Sequence, residues 1–152
     1  MKTILITGAT SGIGNATAAL FAKQGNRIII CGRRQEVLES LKTELSTFTE
    51  IFSLKFDIRN LEEVENAIAS LPEEWKNVDV LITNAGNAHG LEPLSAGSTN
   101  DWDSMIDGNV KGLLYVSKTL IPMMKERNSG QIINISSVAA RQTYANGVVY
   151  CA

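Results

Sequence analysis

Residues 7–14 read Thr-Gly-Ala-Thr-Ser-Gly-Ile-Gly, three glycines at the spacing G-x-x-x-G-x-G. The apolar run TILIT (3–7) leads into them, and Ile13, Ala16, Thr17, Leu20 and Phe21 recur after them at helical spacing until Gly25. A buried strand, a glycine turn and an amphipathic helix in that order restrict the chain to few folds. Gly8 and Gly12 permit backbone geometry or an approach that a Cβ would block, and Gly14 permits close packing of helix on strand. The helix start behind them offers unpaired N–H groups and a positive dipole end, a seat for a pyrophosphate. On this reading Thr7, Gly8, Thr10, Ser11, Gly12, Ile13 and Gly14 form the cradle. A glycine turn alone is a weak sign; its place between strand and helix gives it weight.

The alternation continues along the chain. RIIIC (27–31), IFSLKF (51–56), VDVLIT (78–83) and QIINIS (131–136) are apolar enough to be buried strands. Between them, Val37, Leu38, Leu41 and Leu45 mark one helix, and Leu61, Val64, Ile68 and Leu71 another, with Asn60 placed to cap it and Glu63 three residues on. One long helix is expected from about Asn100 to Arg127. Gly108 and Gly112 either weaken it or admit a neighbouring helix, and Pro122 removes a donor and bends it. Trp75 and Trp102 read as packing anchors for their helices. The expected fold is α/β, a Rossmann-type doubly wound parallel sheet, with residues 1–152 forming a single domain.

Composition narrows the partners. The 152 residues are 44% hydrophobic and 20% charged, with 14 basic against 16 acidic side chains and a net charge of −2. That balance gives no cationic surface for nucleic acid or anionic lipid. No apolar stretch approaches the roughly 20 residues of a membrane helix. Cys31 and Cys151 are too few for a disulfide framework, and no secretory signal opens the chain, so the reducing cytoplasm is the expected compartment. No metal site is assigned.

The second strand ends in Cys31-Gly32-Arg33-Arg34. A site for NAD would place Asp or Glu there, about 20 residues after the glycines, to hold the ribose 2′-hydroxyl. Two guanidinium groups suit a 2′-phosphate instead, so NADP is the expected cofactor. The plainer alternative is a solvated helix start in which Glu36 pairs with the arginines. Asp57-Ile58 follows the third strand, Thr83-Asn84-Ala85-Gly86 the fourth, and Ser136-Ser137 the fifth. Each alone is most often a turn or a cap. In an open α/β sheet, however, all three lie at the carboxyl edge, where ligands bind.

TGATSGIG, the TNAG tetrapeptide, Asn109 in NVKG, and INISS ahead of Tyr150 together resemble the short-chain dehydrogenase/reductase family, over the whole chain. GRRQE, SLPEEW, GLEP and SGQIINISS…YANGVVY resemble, within it, the bacterial NADP-dependent 3-hydroxy acid (serine) dehydrogenases. The resemblance implies an NADP-dependent oxidoreductase working on a 3-hydroxy acid such as serine or 3-hydroxypropionate, with reduction of a 3-oxoacyl thioester as the alternative. It implies three catalytic residues: Ser137, which hydrogen-bonds the substrate oxygen; Tyr150, which transfers the proton beside both substrate and cofactor; and Asn109, which holds a water of the proton relay. It implies adenine contacts from Asp57 and Ile58, a ribose-side contact from Asn84, further cofactor contacts from Ala85 and Gly86, and a 2′-phosphate held by Arg33 and Arg34. It further implies a homo-oligomer, a dimer or tetramer. Read without the family, Ser137 would bond local backbone and Asn109 would be solvated. The single histidine, His89, receives no role. Arg141 is a candidate for the substrate carboxylate, with an ordinary surface arginine as its alternative.

The family pattern Tyr-x-x-x-Lys would need a lysine at 154, and such domains run to roughly 250 residues. The expectation is therefore a chain truncated before its C-terminal strands, inactive and poorly soluble alone. A non-catalytic NADP-binding module is the alternative if the protein ends at Ala152. Replacing both Arg33 and Arg34 with Ala should weaken NADP binding by about 2–4 kcal/mol and NAD binding far less. Calorimetry that finds equal weakening of the two cofactors would refute the 2′-phosphate assignment.

Overall fold

A computed structural model describes all 152 residues. Five strands, β1 (Thr3–Thr7), β2 (Arg27–Gly32), β3 (Ile51–Lys55), β4 (Val80–Thr83) and β5 (Gln131–Asn134), form one parallel sheet in the order β3-β2-β1-β4-β5. Helices α1 (Gly12–Lys23), α2 (Gln35–Leu45), α3 (Leu61–Ala69), α4 (Thr99–Met105) and α5 (Leu113–Glu126) provide the crossovers, and the short α6 (Val148–Cys151) follows β5. This is the doubly wound Rossmann-type α/β fold expected from the alternation. The chain moves outward from β1 to β3, then returns to pair β4 on the other side of β1. Strand order therefore reverses between β1 and β4.

Successive residues of each strand enter opposite cores, which is why the strands read as unbroken apolar runs. Leu5, Ile29, Leu54 and Leu81 face Val64 and Ile68 of α3 and Val116 and Leu120 of α5. Ile4, Ile6, Ile28, Ile30 and Ile82 face Ala18 and Ala22 of α1 and Leu38, Leu41 and Leu45 of α2. Burying each of these Val, Leu or Ile side chains contributes about 1.5–3 kcal/mol. β5 is the exception: Gln131, Ile132 and Asn134 are exposed at this edge of the sheet. No helix is long and apolar enough to cross a membrane.

Two local expectations are corrected. The stretch from Thr99 to Glu126 is not one α-helix, because Ile106–Gly112 winds as a π-helix between α4 and α5. Nor do its glycines admit another helix. A Cβ on Gly108 would stand 3.1 Å from Asn87 Nδ2, and one on Gly112 2.7 Å from Ile58 Cδ1, so loops approach there. Trp75 belongs to a 3-10 turn (Glu73–Trp75), where it packs on Phe52 and under the Arg27 guanidinium, 4.1 Å from the ring centre. Asn60 does cap α3, its side chain accepting from the N–H groups of Glu62 and Glu63. Glu63 reaches past the cap to accept from Asp57 N at 2.9 Å.

Each glycine of the first turn serves a separate purpose. Gly12 has φ +53° in open space, so only its backbone conformation demands glycine. Gly8 combines φ +65° with a close approach, since a Cβ would lie 2.8 Å from Ala85 Cα. A Cβ on Gly14 would fall on Gly8 O and Asn84 Nδ2.

The loops after β1 and β4 are clasped together. Thr7 Oγ1 accepts from Asn84 N at 3.0 Å and Ala85 N at 3.1 Å. Asn84 Nδ2 donates in return to Thr7 O at 3.0 Å and Gly8 O at 3.3 Å. Thr7 is 2% exposed, so water does not replace a lost partner easily. Thr7→Val keeps the shape and removes the acceptor. It should lower stability by about 1–3 kcal/mol, with Thr7→Ser recovering most of the loss. Urea midpoints of the three proteins check this, and an unshifted Thr7→Val midpoint would show the clasp to be idle.

Candidate cofactor and active site

A cleft of about 370 Å³ opens at the carboxyl ends of β1, β2, β3 and β4. Gly8, Thr10, Ser11 and Ile13 line it from the glycine turn, and Arg33 and Arg34 from the end of β2. Asp57 and Ile58 come from beyond β3, and Asn84, Ala85 and Gly86 from beyond β4. Those eleven expected residues meet on one surface. Thr7, Gly12 and Gly14 lie outside the lining; Thr7 and Gly14 act beneath it, through the clasp and the helix–loop packing.

The arginines are not paired as a solvated helix start would pair them. Arg34 Nη2 donates to Thr10 Oγ1 at 3.1 Å and Thr10 O at 3.4 Å, tying the β2 loop to the glycine turn. Arg33 Nη1 stands 3.9 Å from Asp57 Oδ2, and no ion pair with Glu36 forms. Asp57 is gripped by Arg59 instead. Arg59 Nη2 donates to Oδ2 at 2.6 Å, Nε reaches both carboxylate oxygens at 3.0 Å, and the backbone N–H donates to Oδ1 at 3.0 Å. Burial pushes the Asp57 carboxyl up, but the Arg59 hydrogen bonds and the charges of Arg59 and Arg33 outweigh it and hold the group below the usual carboxylate range. Arg59 is correspondingly raised by the same bonds. Cys31 also lines the cleft, and burial pushes its thiol far up, so it stays protonated and inert.

Sequence reasoning did not find Arg59 or Asn87, both of which line the cleft. The signal for Arg59 was its place two residues after Asp57. Asn87 gives no sequence signal beyond following Gly86. It bonds the π-helical segment: Asn87 N donates to Asn109 Oδ1 and Asn109 Nδ2 donates to Asn87 O, both at 2.8 Å. Asn87 Nδ2 donates to Ser104 O at 3.2 Å. The side-chain amide of Asn109 is thus committed to the loop after β4.

Ser137 and Tyr150 stand apart from this cleft. Ser137 caps the 3-10 turn Val138–Ala140, its Oγ accepting from Ala139 N at 3.2 Å. Tyr150 is half-buried on α6, which packs against that turn and against α4. Tyr150 borders a second, very small cavity together with His89, Trp102 and Met105. No hydrogen bond joins Ser137, Asn109 and Tyr150 to one another. Arg141 is exposed just beyond the turn and forms no ion pair.

Comparison with known proteins places this arrangement. The NADP-dependent 3-hydroxy acid dehydrogenase YdfG of Escherichia coli (strain K12) is 47% identical over 147 residues, covering 97% of this chain and 58% of that protein. The serine 3-dehydrogenase of Rhizobium radiobacter is 46% identical over 148 residues, with the same coverage of each. The crystal structure of serine dehydrogenase from Escherichia coli superposes with a TM-score of 0.92 at 47% identity, covering 98% of this chain and 68% of that one. A closed form of serine dehydrogenase complexed with NADP+ gives 0.92 at 48%, covering 98% and 59%. The chain therefore spans about 58% of the length of the curated relatives it matches. The sequence profile described as short chain dehydrogenase matches residues 2–152, and with relatives this similar over nearly all of its length, the chain belongs to the short-chain dehydrogenase family.

Proposed function

We propose that this chain binds NADP and forms part of an oxidoreductase acting on a small 3-hydroxy acid or its carbonyl counterpart, with serine and 3-hydroxypropionate as first candidates. The observation that carries the reading is the pair Arg33 and Arg34, lining the cleft at the end of β2 beside the glycine turn. The turn also suits a dinucleotide, because Gly8, Thr10, Ser11 and Ile13 line the cleft at the N-terminus of α1. The names of the relatives support both cofactor and substrate class.

In this reading the N–H groups at the start of α1 hold the pyrophosphate, and Arg33 and Arg34 the 2′-phosphate. Asp57 and Ile58 border the adenine, and Asn84, Ala85 and Gly86 the ribose. The nicotinamide, when bound, supplies or accepts hydride. Ser137 Oγ already accepts the Ala139 N–H, which leaves its own proton to donate to the substrate oxygen. Tyr150 holds the proton that the substrate oxygen gains in reduction and takes it back in oxidation. Oxidation requires the Tyr150 phenolate to be stabilised, since that oxygen must accept the substrate's proton. Asn109 supports the site by fixing the loop after β4. Such a trio has no use in a pure binding module, which favours the enzyme. The exposed row Ile106, Val110 and Leu114 supports a homo-oligomer.

Tyr150→Phe in the full-length gene product should lower kcat by about 10²–10⁴-fold while leaving the NADPH dissociation constant unchanged. Unchanged turnover would remove Tyr150 from the mechanism. Steady-state assays should show serine or 3-hydroxypropionate oxidised with NADP. Turnover of a 3-oxoacyl thioester alone would move the protein to the reductase class.

A further inference from the structure

The cleft contains three guanidinium groups, Arg33, Arg34 and Arg59, and one carboxylate, Asp57. Its net charge is therefore +2, which matches a phosphate monoester carrying about −1.5 to −2 at pH 7. Without Arg59 the lining would carry only +1. The three arginines differ in how they are held. Arg33 is loose, its side chain 66% exposed and its closest carboxylate at 3.9 Å. Arg34 is tethered to Thr10. Arg59 is fixed most firmly, with Nε and Nη2 on Asp57, while its Nη1 has no partner. Arg59 and Arg33 both stand within 4 Å of the same oxygen, Asp57 Oδ2, so they share one corner of the cleft.

We propose that Arg59 is a third 2′-phosphate-binding residue, held on Asp57 so that its free Nη1 edge discriminates NADP from NAD. This rests on the reading of the cleft as an NADP site. A guanidinium fixed along one edge loses little side-chain freedom when the other edge takes a phosphate oxygen. Asp57 positions it, and Asp107 adds a weaker attraction from the π-helical segment.

The test is equilibrium binding of NADPH and NADH to the full-length gene product by fluorescence and calorimetry. Adenosine 2′,5′-bisphosphate against adenosine 5′-monophosphate serves as a second pair of probes. Arg59→Met should weaken NADPH and the bisphosphate about tenfold or more and leave NADH and the monophosphate within about twofold, with Arg59→Lys intermediate. Unchanged NADH affinity also certifies that the variant is folded. Arg59 could act merely by neutralising Asp57, and the Asp57→Asn background separates the two. If the loss on Arg59→Met persists in that background, Arg59 touches the phosphate; if it vanishes, the proposal falls. Equal weakening of both cofactors would also overturn it, marking an adenine contact or a structural role. A wild-type protein with no preference for NADPH would overturn the underlying cofactor reading, and this inference with it.

Discussion

The buried hydroxyl of Thr7 holds the site together. By accepting two N–H groups from the loop after β4 it ties that loop to the glycine turn, across the point where strand order reverses. Such a point is a crevice by construction, since the crossovers on either side run away from each other. Left open, its backbone groups would be solvated and the two loops free to drift. With Thr7 and Asn84 exchanging bonds, the floor of the cleft is a rigid surface, and Gly8 and Gly14 let the two loops and α1 pack this closely beneath it. The cofactor-side residues on neighbouring loops are referenced to that floor, Arg34 directly through its bonds to Thr10.

A second consequence concerns charge. A bare carboxylate in the cleft would repel a phosphorylated cofactor, but Arg59 occupies both oxygens of Asp57. The carboxylate orients cations in the cleft and offers little negative potential of its own. It also means that Asp57 has limited free acceptor capacity for an adenine amine, so Ile58 and the neighbouring backbone carry more of that contact in the proposed binding mode.

The strands, the glycine turn and the Asn60 cap were legible because each is a local pattern: continuous apolar residues, a spacing of three glycines, a capping side chain three residues before a glutamate. The convergence of Asp57, Asn84 and Arg33 on one surface was legible as well, since parallel topology sends every strand end to the same edge. What stayed hidden depends on contacts distant in sequence. The partner of Arg33 is Asp57 on the next strand's loop, where helix proximity had suggested Glu36. Trp75 anchors a 3-10 turn through Phe52 and Arg27, which nothing in SLPEEW announces. The π-helical winding arises where Asn87 meets Asn109 and Ile58 presses on Gly112, both contacts made by loops from other parts of the chain.

That winding also sets the phase of everything on either side of it. The buried positions Gly108, Gly112, Val116, Leu120 and Met124 step by four throughout, and Met105 precedes them. An α-helix drifts about 40° with every four-residue step, so it would carry such a row out of the core within a few turns. The wider turn at 106–112 absorbs the excess and keeps both halves facing inward. A single-residue deletion there would let the segment rewind as an ordinary α-helix and keep α4 and α5 near their present phase, because a π-turn holds about one residue more than an α-turn. The cost would fall on the wide turn itself, where Asn109 meets Asn87 and Gly112 meets Ile58. A change of length is therefore taken up within this stretch, while its contacts leave Gly112 no room for a side chain.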